Sequence, residues 1–517
     1  MLEKASLDAS VEAMVARAEL ARLESAAELG SSNRRQLGQY FTPAVVAELV
    51  VRGARLPLNG TLRVLDPGAG TGSLSTALIA RVLRERPQLK VEIVAVECDV
   101  ALVPALERTL KDCAATAASL GATVVFKVEP KDFVEWATEE LSGLGSAQTL
   151  LAQDGKHFDL VITNPPYRKL SPASIAGRAL SAHGVDAPNT YAAFLALGIL
   201  LLQRGGQLAA ITPRSFTNGV YFRNFRRWML ARVGIDRLTS FKKRDILFAE
   251  DDVLQENLVL AATRDLMAVR TSIVTVGDLG VTSERAVHYE DVVLPSDPEA
   301  FVRIPAGERE SANSAKVLHL PTLLQDLGLG VSTGRVVDFR CKAALRSEVE
   351  SGTVPLIYPS HLKNGRVAWP IMNFRKWNAI CDDETTAKML LPAGWYVLVK
   401  RFSVKEESRR IVAAVFEPGN AHGGRVGFEN HLNVIHCNNV GFDEALARGL
   451  NVWLNSTVLD DYYRQISGHT QVNATDLRNL PFPTTTQLLE LGKAVAGGLL
   501  DQDKLDSLVA LHVFSNR

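Results

Sequence analysis

Short apolar runs alternate with segments of helical periodicity along the first half of the chain. Buried strands are predicted at 62–65, 91–96, 124–128, 158–163 and 207–211, with a late pair at 238–241 and 253–262. Helices are predicted at 74–85, 102–110 and 191–202. Strands that alternate with helices indicate an α/β fold with a mostly parallel, Rossmann-like sheet covered on both faces. Ligands of such sheets bind at the carboxyl ends of the strands.

The pattern changes at both ends of this region. Residues 1–30 form a predicted amphipathic helix, with Leu7, Val11, Met14 and Ala18 at helical spacing. Between 265 and 320 the pattern weakens and Pro, Ser, Glu and Asp become frequent, which indicates a domain junction. Short strands at 354–358, 395–400 and 410–416 and a helix at 442–454 follow. We expect an N-terminal helix over 1–32, an α/β domain over 33–305, and a mixed α+β domain with a C-terminal helix over 306–517.

Composition narrows the class of protein. The chain has 517 residues, of which 47% are hydrophobic and 22% charged, as is typical of a soluble globular protein. Its most apolar run, 194–202, is far shorter than the roughly 20 residues that a bilayer span needs. Acidic residues interrupt the N-terminus where a signal peptide would have its apolar core. Five scattered cysteines are expected to be reduced thiols of a cytosolic protein.

Charge adds a local feature to a chain that is neutral overall. The 57 basic residues balance the 57 acidic ones, but segment 204–244 holds ten basic residues against one acidic residue, Asp236. This segment is either a solvated helix face or a contact for phosphates. Arg223, Arg226 and Arg227 are its candidates for nucleic-acid binding.

Acidic residues follow three successive predicted strands. Asp66 opens a glycine turn that includes Gly68 and Gly70, and glycine lets the backbone approach a ligand closely. Because this acid precedes the glycines, it can pair with a cationic amino group rather than a phosphate. Glu97 closes the second strand, where a carboxylate can accept both ribose hydroxyls. Asp132 and Phe133 follow the third strand and offer a carboxylate and an aromatic edge to an adenine. Together these residues predict a site for a nucleoside-bearing ligand.

The tetrapeptide Asn164, Pro165, Pro166, Tyr167 directly follows a fourth apolar strand. Its two prolines remove two backbone donors and favour an extended chain. The carbonyl of Pro165 and the amide oxygen of Asn164 can then accept two hydrogen bonds from one NH2 group. These bonds would localise the nitrogen lone pair for attack on a methyl sulfonium. The alternative is a rigid turn without chemistry.

With these motifs the chain resembles the gamma-class, TaqI-like amino-DNA methyltransferases, best over residues 33–265. Segment 39–43 resembles the family's segment ahead of the glycine turn. The resemblance implies S-adenosylmethionine as cofactor, bound by Thr42, Asp66, Gly68, Gly70, Glu97, Asp132, Phe133 and Asn164. It implies transfer to the N6 amino group of an adenine in double-stranded DNA, with the base extruded into the site. Tyr167 and Phe248 would stack on the extruded base, and residues 306–517 would form the target-recognition domain.

Polar clusters in the C-terminal half are candidates for reading DNA. His469, Thr470, Gln471 and Asn473 lie in one polar stretch, and glutamine and asparagine can pair with adenine through two hydrogen bonds. The alternative is that Asn473 caps a helix. Segments 429–433 and 358–363 are further candidates. Basic residues that could contact phosphates are Arg401, Lys405, Arg409 and Arg410.

Several alternatives stay open at this stage. The tetrapeptide also occurs in enzymes that methylate RNA adenine, cytosine N4 or a protein glutamine, although cytosine N4 enzymes more often begin it with Ser. A catalytically inactive DNA-binding subunit is a rival from another class. We expect no metal site, since His431 and His436 lack a spaced third ligand. Any restriction endonuclease is expected to be a separate chain. This chain itself is expected in a bacterial or archaeal cytosol, on DNA.

Overall fold

The computed structural model divides into two compact units, Met1–Ile304 (unit 1) and Pro305–Arg517 (unit 2). It describes residues 2–29, 41–143, 157–171, 173–241, 256–277, 282–305, 307–403, 407–421, 424–467, 471–495 and 501–515.

In the described part of unit 1, nine strands form one sheet in the order β3-β2-β1-β4-β5-β7-β6-β8-β9. The strands are β1 Thr61–Pro67, β2 Lys90–Val96, β3 Thr123–Glu129, β4 Phe158–Thr163, β5 Leu202–Pro213, β6 Val233–Phe241, β7 Asn257–Arg264, β8 Arg270–Val276 and β9 Thr282–His288. Strands β3, β2, β1, β4 and β5 pair in parallel, so their carboxyl ends lie along one edge of the sheet. That edge carries the glycine turn and the tetrapeptide.

Two strands that the sequence pattern did not predict lie within the α/β domain expected over 33–305. Strand β8 pairs in parallel with β6, and β9 pairs antiparallel with β8. In β8 exposed and half-buried residues alternate with buried ones. Such a strand lacks the continuous apolar run that marks the central strands.

Helices cover both faces of this sheet. They are α1 Leu2–Leu29, α2 Ala44–Arg52, α3 Ser73–Glu85, α4 Val103–Ser119, α5 Phe133–Gly143, α6 Ile175–Ala182, α7 Thr190–Leu201, α8 Arg223–Leu230 and α9 Tyr289–Val292. Successive strand residues point to opposite faces, so Val64 joins the core beneath α1 to α4, while Leu65 joins the core around α5 and α7. Helix α7 is buried on nearly every side and runs behind the tetrapeptide.

In the described part of unit 2, the strands form two sheets. One has the order β10-β20-β17-β18-β14-β13 and the other β11-β15-β12-β19-β16. The strands are β10 Gly330–Thr333, β11 Leu345–Arg346, β12 Thr353–Ile357, β13 Leu362–Lys363, β14 Arg366–Val367, β15 Ala379–Cys381, β16 Leu390–Pro392, β17 Tyr396–Lys400, β18 Ala413–Phe416, β19 Arg425–Phe428 and β20 Leu432–His436. Many of these strands are too short to leave a clear sequence pattern.

Helices complete unit 2. They are α10 Glu308–Leu318, α11 Glu444–Leu454, α12 Thr457–Ile466, α13 Ala474–Arg478, α14 Thr485–Ala494 and α15 Gln502–Val509. Helices α11 and α14 approach closely through glycine, because a Cβ placed on Gly449 would lie 1.8 Å from the carbonyl oxygen of Leu488. The expected mixed α+β composition of this half agrees with these elements.

Candidate active site and a polar surface of unit 2

The glycine turn after β1 forms the floor of a cavity. Gly68 and Gly70 have φ angles of 70° and 57°, a left-handed backbone that side chains disfavour. A Cβ on Gly68 would lie 3.3 Å from the ring of Phe194, so glycine also keeps this space open. The cavity has a volume of about 340 Å³, within the range of small-molecule sites.

Asp66 lies behind this turn rather than in the lining of the cavity. Its side chain is fully buried, and Ser75 Oγ donates to its Oδ2 at 2.6 Å. Burial raises the pKa of Asp66 to about 7. Its Oδ1 has no hydrogen-bond partner among the described residues. A buried acceptor of this kind is expected to find a donor, and the ammonium end of S-adenosylmethionine would supply one.

Glu97, at the end of β2, lines the cavity and is buried. Its Oε2 accepts from the backbone N–H of Gly70 at 2.8 Å, and its Oε1 accepts from that of Asp99 at 2.8 Å. These bonds fix the carboxylate and tie it to the glycine turn. Burial raises the pKa of Glu97. A fixed carboxylate at this strand end fits the hydroxyls of a ribose.

Asp132 and Phe133 lie on the same wall, at the start of α5. Asp132 Oδ1 accepts from the N–H groups of Val134 and Glu135, at 2.8 Å and 3.2 Å, which caps the helix. Phe133 is buried, and its ring centroid lies 4.7 Å from that of Phe194. The wall therefore combines an acceptor with two aromatic faces, as a nucleoside base requires. Sequence reasoning missed Phe194, because an aromatic residue in an apolar helix carries no signal of its own.

The tetrapeptide borders this cavity through Asn164 and Pro166. Asn164 Nδ2 donates to Thr42 Oγ1 at 3.0 Å, which joins the segment ahead of the glycine turn to the tetrapeptide. The hydroxyl of Tyr167 donates to Asn164 Oδ1 at 3.4 Å. Thr163, the residue before Asn164, donates through its hydroxyl to the carbonyl of Pro67 at 2.8 Å. The Asn164 amide is thus oriented, with its oxygen on the Tyr167 side.

A series of aromatic rings supports the tetrapeptide from α7. Tyr167 meets Tyr191 edge-on, with ring centroids 6.1 Å apart, and Tyr191 stacks on Phe222 at 5.4 Å. The hydroxyl of Tyr191 shares a hydrogen bond of 3.2 Å with Ser215 Oγ. Tyr167 itself is half-buried, so part of its ring stays accessible.

The described part of the basic segment, 204–241, does not form one surface, and the prediction that Arg226 contacts DNA is wrong. Arg226 is fully buried, and its guanidinium donates to four backbone carbonyls, including those of Gly219 and Glu299. An Arg in such a niche holds two chain segments together. Arg223 and Arg227 each donate to the carbonyl of Pro298 but keep exposed surface. They stay candidates for phosphate contact.

Three segments of unit 2 meet in what we call the polar surface, formed by Arg401, Phe402, His431 and Gln471. Phe402 forms a β-bridge with Gln471, and its ring lies 5.2 Å from that of His431. Arg401 Nη1 donates to the carbonyl of Asn430 at 2.7 Å. Sequence analysis gave Arg401, His431 and Gln471 as candidates in separate groups, and the fold brings them together with Phe402, which the sequence pattern did not identify.

His431 is held in one orientation by a buried acid. Glu429 is fully buried, and its Oε2 accepts from the backbone N–H of His431 at 2.9 Å. Its Oε1 lies 2.5 Å from His431 Nδ1. The side chain of His431 is 45% exposed, so Nε2 is the ring nitrogen left for an external partner.

Asn473 begins α13 as its N-cap residue, and its backbone N–H donates to Asp476 Oδ2 at 2.8 Å. This position agrees with the alternative that it caps a helix. Two other candidates are wrong. His361 is fully buried between Tyr358 and Asn378, and Arg410 is buried beside Ser403, so neither reaches a ligand at the surface.

Some predicted residues lie outside the described part of the chain. They are Phe248, His469, Thr470 and Lys405. Within the described ranges, no helix is long and apolar enough to cross a membrane. The same ranges hold no group of three or more His, Cys, Asp or Glu arranged for a metal.

Comparison with known proteins identifies the family. The Eco57I restriction-modification methylase family model matches residues 122–248, which include the tetrapeptide. The chain is 37% identical to the type II methyltransferase M.PstI of Providencia stuartii, covering 93% of this chain and 94% of that protein. It is 39% identical to the type II methyltransferase M.BsuBI of Bacillus subtilis, covering 92% and 93%.

A solved structure supports the same fold. It is that of the type IIL restriction-modification enzyme MmeI in complex with DNA, with a TM-score of 0.54 at 12% identity, covering 96% of this chain and 74% of that chain. The two relatives, each at least 37% identical over more than 90% of both chains, show that the chain belongs to the type II methyltransferases of restriction–modification systems and is an S-adenosylmethionine-dependent DNA methyltransferase.

Proposed function

We propose that this chain methylates the N6 amino group of an adenine within a specific sequence of double-stranded DNA. It would serve as the modification component of a restriction–modification system, with any endonuclease on a separate chain. The observation that carries the proposal is the oriented amide of Asn164, held by Thr42 on one side and Tyr167 on the other at the rim of the cavity.

The predicted site residues, some lining the cavity and some behind its lining, divide into two groups. The binding group is Thr42, Asp66, Gly68, Gly70, Glu97, Asp132 and Phe133, with Glu97 accepting ribose hydroxyls and Asp132 accepting an adenine amine. S-adenosylmethionine, when bound there, supplies an electrophilic methyl group on a sulfonium. Its ammonium group would donate a hydrogen bond to Asp66 Oδ1, which has no partner among the described residues.

The second group acts on the target base. Asn164 Oδ1 and the Pro165 carbonyl accept the two amine hydrogens, which draws the nitrogen toward tetrahedral geometry. The amine must leave the duplex to reach them, since its position in the base pair is inaccessible. Tyr167 stacks on the extruded base, a contact worth roughly 1–3 kcal/mol. Positioning and charge complementarity then carry the catalysis, and the nitrogen loses its proton after transfer.

Unit 2 would read the sequence. Gln471 has the side-chain amide that pairs with adenine through two hydrogen bonds, and the outward Nε2 of His431 can meet a base edge beside it. Arg401 and Phe402 add charge and an exposed ring. The MmeI structure contains DNA, which supports a DNA-facing role for a chain of this fold.

The test is single-molecule sequencing of genomic DNA from a host that expresses this chain. We expect N6-methyladenine at one short motif, absent from a matched host that expresses Asn164→Ala. If cytosine is methylated instead, the target base is cytosine and not adenine. A host with no new DNA modification, but with labelled RNA or polypeptide, would contradict the proposal.

A further inference from the structure

The loop after β5 exposes two apolar side chains beside the tetrapeptide. It comprises two short 3-10 turns, Arg214–Thr217 and Val220–Phe222. Val220 is 51% exposed and Tyr221 is 88% exposed, which makes Tyr221 the most exposed aromatic residue of the described chain. Single exposed apolar residues are common on protein surfaces, so the rigidity of this loop and its neighbours decide whether Tyr221 has a partner.

This loop is held rigidly. Gly219 donates its backbone N–H to the carbonyl of Ser215 at 2.9 Å, and a Cβ at position 219 would lie 2.7 Å from that same oxygen. Buried Arg226 donates to the carbonyls of Phe216 and Gly219, at 3.0 Å and 2.6 Å. It also donates to the carbonyl of Glu299 at 2.8 Å, which anchors the loop to a distant segment. The exposure of Tyr221 is therefore built into a fixed backbone.

The position of the loop points to its partner. Phe222, the residue after Tyr221, is buried and stacks on Tyr191, and Tyr191 meets Tyr167 of the tetrapeptide edge-on. Helix α8 follows at once and carries the partly exposed guanidinium groups of Arg223 and Arg227. Arg223 also pairs with Glu299 at 3.4 Å, so Arg227 carries the positive charge that is less offset beside the ring. An exposed ring next to such a charge fits the stacked bases and phosphates of a duplex.

We propose that Tyr221, with Val220, enters the DNA duplex at the target base pair and stacks in the space that the extruded adenine leaves. This inference rests on the proposed function and names a residue that would drive base extrusion. Extrusion costs stacking and pairing free energy. A ring that fills the gap offsets part of that cost, because aromatic side chains stack on any base.

The test compares Tyr221→Ala and Tyr221→Trp with the unchanged chain. The substrate is a duplex that carries, in unmethylated form, the motif that the chain methylates. We expect Tyr221→Ala to lower the rate of methyl transfer by roughly 10- to 100-fold, the effect of losing one base–aromatic stack. Tyr221→Trp should stay near the unchanged rate. With 2-aminopurine at the target position, Tyr221→Ala should give a smaller rise in fluorescence on binding, because less of the base is extruded.

The decisive arm uses a duplex with an abasic site opposite the target adenine, where the pair is already broken. Tyr221→Ala should methylate this duplex at nearly the unchanged rate. Met267→Ala is the matched control: Met267 is 94% exposed and follows the end of β7 that pairs with the start of β5, at the opposite edge of the sheet. Met267→Ala should leave the rate of methyl transfer unchanged on both the fully paired and the abasic duplex.

Two results would overturn this inference. One is that Tyr221→Ala lowers the rate of methyl transfer by the same factor on the fully paired and the abasic duplex. The other is that Tyr221→Ala lowers the rate on neither duplex. Failure of the unchanged chain to methylate any duplex would instead overturn the proposed function, and this inference with it.

Discussion

The candidate active site of unit 1 and the polar surface of unit 2 are built in opposite ways. In unit 1, Asp66 lies at the end of a parallel strand, Glu97 and Asn164 each follow one, and hydrogen bonds fix each side chain. In unit 2, the polar surface comes from three loops, and buried Glu429 fixes His431 from beneath. The sheet thus sets the position of the chemistry, while loops carry the groups suited to recognition.

This difference predicts different consequences of substitution. Changes in the strand-end residues should alter stability, cofactor affinity or the chemical step, because those residues are buried and share partners. Changes in the polar surface should alter the choice of DNA sequence and leave cofactor binding intact. The following experiments test that separation.

The largest effect is expected for Asp66→Asn on stability. Because the pKa of Asp66 is raised to about 7 when folded, the folded state holds a proton that the unfolded state releases between about pH 4 and 7. The contribution of Asp66 to stability is present below pH 4 and lost as the pH rises through 7. We expect the free energy of unfolding of Asp66→Asn to exceed that of the unchanged chain by up to about 4 kcal/mol at pH 8. Near pH 4 the two free energies should be equal.

Urea unfolding of the cofactor-free protein at the two pH values measures this difference. Asp112→Asn, which removes a partly exposed carboxylate that pairs with Arg17, is the control for the loss of one acidic side chain. If the free energies of unfolding of Asp66→Asn and the unchanged chain differ by the same amount at both pH values, Asp66 is not protonated in the folded state.

A smaller effect is expected for Glu97→Ala on cofactor binding. Loss of two hydrogen bonds from ribose hydroxyls to a charged acceptor should weaken S-adenosylmethionine binding roughly 100-fold or more. Isothermal titration calorimetry measures the affinity. Glu92, on the same strand, is partly exposed and pairs with Lys90, so Glu92→Gln should leave it unchanged. Equal affinity in Glu97→Ala would remove Glu97 from the cofactor site.

The smallest effect is expected for the polar surface. Gln471→Ala combined with His431→Ala should reduce the preference for the cognate sequence by roughly 10-fold or more, the cost of a lost base contact. Cofactor affinity should not change. Competition binding with cognate and scrambled duplexes measures the preference, and Arg340→Ala, in another part of unit 2, serves as the control. Unchanged preference would assign recognition to other residues.

The sequence predicts most of unit 1 because its central strands are continuous apolar runs that end in distinctive residues. Segment 158–163 coincides with β4, and Asn164 follows it directly. Strands β8 and β9 were missed because β8 alternates in burial, the described side chains of β9 are mostly exposed, and both strands lie at one edge of the sheet. Edge strands depend on partners far along the chain rather than on a local pattern.

Individual side chains were harder to predict than strands. Arg226 resembles its neighbours Arg223 and Arg227 in sequence, but the carbonyls that surround it come from residues 216–219 and 299–300. The burial of His361 likewise depends on Asn378. Such niches form only when distant segments meet, so local charge cannot identify them.

The central claim is that the Asn164 amide and the Pro165 carbonyl hold an adenine amine. It is tested by mass spectrometry of nucleosides after purified protein has acted on DNA with methyl-labelled S-adenosylmethionine. The account predicts label in N6-methyladenine, with transfer by Asn164→Ala lower by roughly 1,000-fold at similar cofactor affinity. Label in another base, or an equal loss of cofactor affinity and transfer in Asn164→Ala, would contradict it.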